Sequence, residues 1–140
     1  MTIQGVHESC KAVVGLIPDA HSAGTIISPA AIDTKGFDEA LIVINAGVFS
    51  ATGDATITVT ECDTSGGSYA AITGAAFTVI TVANDQTIYV GRLQCKNWER
   101  YIKLSMVLAD DVADLSACVI LTKYDGLAPV SQVNDVEFNV

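Results

Sequence analysis

Ala55-Thr56-Ile57-Thr58-Val59-Thr60-Glu61-Cys62 alternates apolar and polar side chains without a break. Successive residues of a strand point to opposite faces, so Ile57 and Val59 turn one way and Thr56, Thr58 and Thr60 the other. The stretch predicts a half-buried strand. Asp63-Thr64-Ser65-Gly66-Gly67-Ser68 follows it. It has the chemistry of a hairpin loop: an Asp that can bond nearby backbone, and glycines that accept positive φ.

Upstream, residues 39–48 read as a longer strand. Leu41-Ile42-Val43-Ile44 is continuous in apolar character, which predicts a central strand covered on both faces. Asn45-Ala46-Gly47 predicts a bulge, because a glycine inside a strand marks one. Further strands are expected over 25–28, 69–72, 77–82, 87–93, 100–108 and 115–124. Turn residues separate them at 33–36, 51–54, 84–86 and 110–114. Around 95–100 there is room for one turn of helix, and the Ala-rich stretches 29–32 and 70–76 could be short helices. Seven or eight strands with turns at this spacing predict an all-β fold, an antiparallel β-sandwich of jelly-roll-like kind. Residues 1–23 are poorly periodic and are expected to form an extended arm. The sandwich is expected over 24–125 and a short tail over 126–140.

Composition fits one domain of 140 residues, half of them hydrophobic and 16% charged. Few charges are expected where much of a surface lies against partners. The formal net charge is −9, and the seven basic residues are scattered. Phosphate binding needs clustered Lys and Arg, so no nucleic-acid partner is expected. No apolar run approaches the ~20 residues of a membrane-spanning helix. Met1-Thr2-Ile3-Gln4 has no basic start leading to an apolar run, so no signal peptide is expected. Cys10, Cys62, Cys95 and Cys118 are too widely spaced for a zinc ribbon or redox pair and read as free thiols.

No catalytic motif is present, and an enzyme is not expected. His7 and His21 both lie in the expected arm, where a general base would not be held rigidly. Glu61 and Asp63 sit at the ~7 Å spacing of strand neighbours i and i+2, which carboxylate pairs can use, but nothing near them suggests a cleft. Asp110, Asp111 and Asp114 could meet around a calcium ion at a loop tip. A solvated turn is the plainer reading, and no metal or other cofactor is expected. Trp98 and Tyr101 could form half of a sugar platform, or Trp98 could plug one end of the sandwich.

Two segments together resemble small structural proteins of tailed bacteriophages. One is Ile32-Asp33-Thr34-Lys35-Gly36-Phe37-Asp38, a turn that leads into the strand 40–47. The other is the threonine-rich strand and hairpin from Thr56 to Tyr69, and Arg100-Tyr101-Ile102-Lys103-Leu104 matches a later strand of that group. The likeness covers about 31–124. It departs at Cys62, where the group commonly has Ser, and at the doubled Gly66-Gly67. It implies a virion protein: a capsid decoration (cement) protein, assembled in the host cytoplasm, that sits as a homotrimer on the major capsid protein and stabilises the shell. In that role the arm would make the contact through Val13, Val14, Leu16 and Ile17. The alternatives are a tail or head–tail connector component and a carbohydrate-binding module.

Overall fold

A computed structural model of the chain describes residues 6–124. After a helical turn at Val6–Ser9, the strands are β1 (Lys11–His21), β2 (Gly24–Ile27), β3 (Ile32–Asp33), β4 (Phe37–Phe49), β5 (Asp54–Cys62), β6 (Ala70–Ala76), β7 (Ile88–Gln94), β8 (Tyr101–Ala109) and β9 (Ala113–Tyr124). One sheet has the order β1-β9-β4-β7; the other has β2-β8-β5-β6, with β3 also pairing β8. All pairings are antiparallel.

The winding follows from four nested pairs. β5 pairs β6, β4 pairs β7, β2 and β3 pair β8, and β1 pairs β9. Counting β2 and β3 as two halves of one strand, this is a long two-stranded ribbon rolled over itself. Rolling adds the lateral pairs β4–β9 and β5–β8. The result is an eight-strand jelly roll. The loop after Cys62 is the ribbon's tip, where Gly67 N–H reaches Thr64 O at 3.2 Å.

Period-two alternation fills the space between the sheets. Ala40, Ile42, Ile44 and Ala46 of β4 face inward with Leu115, Ala117, Val119 and Leu121 of β9. Ile57 and Val59 of β5, and Ile102, Leu104, Met106 and Leu108 of β8, face them from the other sheet. The predicted bulge in β4 is present: the register shifts between Ala46 and Phe49. A Cβ on Gly47 would lie 2.9 Å from the Asp114 Cβ, so only glycine permits that approach.

Two expectations are corrected. Residues 1–23 are not an arm as a whole, because β1 pairs β9 over its length and closes one sheet. Leu16 is 0% exposed, and Val13 packs against the core. The stretch reads as irregular because two register shifts, at Val14/Leu16 and Leu16/Asp19, break its alternation. The sixth strand is the Ala-rich 70–76 rather than 77–82. The stretch after it runs beside β5 with isolated bonds, Phe77 N–H to Ile57 O at 2.9 Å and the Ile80–Ala55 bridge. Phe77 packs against the core and Ile80 is fully buried, while Val79 and Val82 are exposed. The expected tail 126–140 lies outside the described residues, as does the His7 side chain.

Candidate docking face

The two sheets present unlike outer faces. On the β5/β8 sheet, Thr56, Thr58 and Thr60 point outward opposite Val107, Ser105 and Lys103. Thr60 Oγ1 donates to Lys103 O at 3.0 Å. Arg100 grips Asp33 with two bonds, of 2.9 and 2.8 Å, and lies over the Tyr101 ring. Lys103 lies over the Tyr69 ring. Ile27 and Val107 are exposed singly among these polar side chains, a mixed face that is the ordinary solvent side of an antiparallel sheet.

The outer face of the β1-β9-β4-β7 sheet is apolar at its centre. Register places Val14, Cys118, Val43 and Val90 in one row across all four strands. Ala12, Ile120, Leu41 and Arg92 form the next row, and Ser116, Asn45 and Ile88 a third. Val14, Ile88 and Val90 are 52%, 60% and 58% exposed. Leu41, Val43 and Ile120 are half-buried. The run Leu41–Ile44 therefore has Ile42 and Ile44 in the core and Leu41 and Val43 on the outer face of the sheet. Single exposed apolar residues are commonplace; a contiguous patch running across a sheet is a candidate contact surface.

One end of the patch carries charge. Glu39 accepts from Arg92 Nη2 at 2.5 Å and from Lys123 Nζ at 3.0 Å. Lys123, then Arg92, hold the Glu39 carboxyl below its ordinary range. The three charges fix the rim, while the centre offers only carbon and the Cys118 thiol.

Of the residues expected to contact a partner, Val14 and Ile17 are exposed, at 52% each. Leu16 belongs to the core and cannot reach a partner in the folded chain. His21 is buried, with Nε2 at 2.9 Å from Ile17 O and 3.2 Å from Leu115 O, so it pins the end of β1 and is not on a mobile arm. Asp110 sits in the β8–β9 turn at φ 68, whereas Asp114 is inside β9. Among the described residues no group of three metal-ligating side chains is brought together. Glu61 accepts the Glu99 N–H at 2.7 Å and ties the β7–β8 connection to β5; it does not face Asp63 across a cleft. Trp98 lines an open cleft of ≈ 360 Å³ between β6 and β7, with Thr73, Arg92, Gln94 and Asn97 at its rim. Tyr101 lies under Arg100 instead. All four cysteines are thiols, with no disulfide between them.

The outer contributions of β7 and β9 to the apolar face were not singled out from sequence. Their signal was present in the Leu41–Ile44 run, which requires cover on both sides. No protein-family model matches the chain, and no curated protein matches it.

Proposed function

We propose that this chain is a structural protein of a tailed-phage virion, a decoration protein that docks on the major capsid protein lattice through the apolar face of the β1-β9-β4-β7 sheet. The contrast between the two outer faces carries the reading. A sheet that ends in solvent alternates apolar and polar, as β5 does; β4 is apolar on both sides from Leu41 to Ile44. The resemblance of residues 31–124 supplies the lattice as partner. Binding only the mature lattice lowers its free energy by RT ln(1 + [L]/Kd) per site, and many copies make modest contacts hold.

The test is co-sedimentation of the purified chain with mature particles that lack it. The wild-type chain should pellet with the particles, and Val43→Glu, folded but charged at the centre of the face, should stay in the supernatant. Equal pelleting of the two would reject the face. Quantitative mass spectrometry of virions should give a simple fraction of the capsid subunit count. About a dozen copies would favour a connector ring, the second structural reading.

A carbohydrate-binding module keeps one observation in its favour, the cleft beside Trp98. An indole face with amides and a guanidinium near it is suited to stacking and hydrogen-bonding a sugar ring. Trp98→Ala abolishing binding to a glycan array would establish that reading, and silence of the wild-type chain would remove it.

A further inference from the structure

A sandwich of two open sheets has four edges, and three of these edges are blunted. β1 carries Pro18 and two register shifts. The edge made by β2 and β3 is interrupted between them, where Pro29 lies. β6 loses register between Ala71 and Ala76, and Gly74 there has φ 86. Interruptions, prolines and bulges of this kind stop a sheet edge from pairing with another chain.

β7 carries none of them. Ile88–Gln94 pairs with β4 over seven consecutive residues without a shift. It holds no Pro, Lys, Asp or Glu, and its one charge, Arg92, is tied to Glu39. Ala46 N–H donates to Thr87 O at 3.0 Å. In an antiparallel ladder the bonded rungs alternate, so Thr87, Tyr89, Gly91 and Leu93 bond β4. The N–H and C=O of Ile88, Val90, Arg92 and Gln94 then point away from the sheet. Among the described residues β7 pairs only with β4.

We infer that β7 is a homodimer edge: it pairs antiparallel with β7 of a second copy about a two-fold axis at Gly91. The full seven-residue overlap places Val90 opposite the second copy's Arg92 and Ile88 opposite its Gln94. Every outward backbone group of both strands then finds a partner, for eight hydrogen bonds.

A second copy fits better than an unrelated strand because of the area argument. Four strands at ~4.8 Å spacing and three same-side rows at ~6.8 Å give one chain's outer face about 400 Å². A stable protein interface takes roughly 800 Å² from each side. Pairing at β7 joins two such faces into one eight-stranded surface of about that size. The composite face, and with it the preference for a second copy, rests on the docking reading above; the unblunted, outward-bonding edge of β7 does not. The product is a two-fold dimer, in place of the homotrimer that the resemblance implies.

Light scattering coupled to gel filtration on the full chain is the experiment. The wild-type chain should have the mass of two chains and Val90→Pro that of one. The Val90 N–H faces outward, so the proline removes an intermolecular donor and no bond to β4, and edge strands accept it. Circular dichroism of Val90→Pro should stay that of the β fold. Val90→Lys, facing a second Arg92, should also dissociate, while Val90→Glu should remain dimeric. A wild-type mass of one or three chains, or a Val90→Pro that keeps the mass of two, would overturn the pairing. Equal behaviour of Val90→Lys and Val90→Glu would overturn the register. Val43→Glu lies away from the edge and should stay dimeric even where it no longer binds particles, which separates this inference from the docking reading.

Discussion

The hydroxyl of Ser28 donates to the carbonyl of Gly15 at 2.7 Å, a bond that runs from the end of β2 to the opposite sheet. The same oxygen accepts the Leu104 N–H at 2.8 Å. Ser28 is buried, and Gly15 lies so close to the facing sheet that a Cβ on it would meet Leu104 Cδ1 at 2.7 Å. One hydroxyl thus clamps the two layers where the β1 bulge brings them together.

Ser28→Ala leaves a buried donor and a buried acceptor unpaired. The expected loss is about 1–3 kcal/mol for such groups. Urea unfolding should show a lower midpoint at unchanged slope. A midpoint equal to wild type would mean that water or a backbone shift replaces the clamp.

Deleting residues 1–23 removes β1, the Leu16 side chain and the partner of β9. Removing a buried Leu side chain alone costs about 2–5 kcal/mol, and the deletion also bares a long edge. The shortened chain should be insoluble or lack a cooperative thermal transition. Deleting residues 1–9, which spares β1, should leave that transition in place. A soluble, cooperatively melting chain without residues 1–23 would show that the sandwich closes without β1.

Asp33 and Arg100 join β3 to β8. The Arg100 guanidinium, with help from the Lys35 N–H, holds the Asp33 carboxyl below its ordinary value. A depressed carboxylate contributes stability above its unfolded pKa of about 3.9 and loses it as pH falls through the folded value. Both side chains are 45% exposed, so the pair is worth at most ~1 kcal/mol. Asp33→Asn should be slightly less stable than wild type at pH 7, and the gap should close as pH falls through the depressed Asp33 value. A gap that persists in acid would point to packing.

The thiols report on the docking face. Cys118 is exposed in its centre, whereas Cys62 and Cys95 are buried. Burial pushes the Cys95 thiol up to about 11. In a Cys10→Ser background, maleimide at neutral pH should label Cys118 and spare the other two. Bound to particles, Cys118 should be protected. Labelling at the free rate on the particle would place the contact elsewhere.

Most of the fold was legible because period two survives wherever one face is buried. Residues 55–62 and 101–106 show it plainly, and the glycine at 47 marks the bulge in the continuous apolar run of β4. β1 was hidden by its own bulges, each of which flips the alternation. β6 was hidden because an edge strand of alanines contributes backbone with almost no side-chain signal. The large residues just after it, Phe77 and Ile80, drew the strand assignment toward themselves although they run beside β5 with isolated bonds. The docking face was half visible: the Leu41–Ile44 run declared that both sides of β4 need cover. Which strands flank β4 is set by non-local pairing, and one-dimensional spacing does not encode that.

The nested ribbon also orders events in time. β9 lies between β1 and β4, so the sheet that carries the apolar face lacks a middle strand until translation has passed Tyr124. A nascent chain can roll β4 to β8 earlier, but β1 must wait for a partner about a hundred residues downstream, the kind of distant closure that slows folding. The sticky surface is therefore completed last, and a nascent chain that has not passed Tyr124 has no assembled face with which to seize a neighbour.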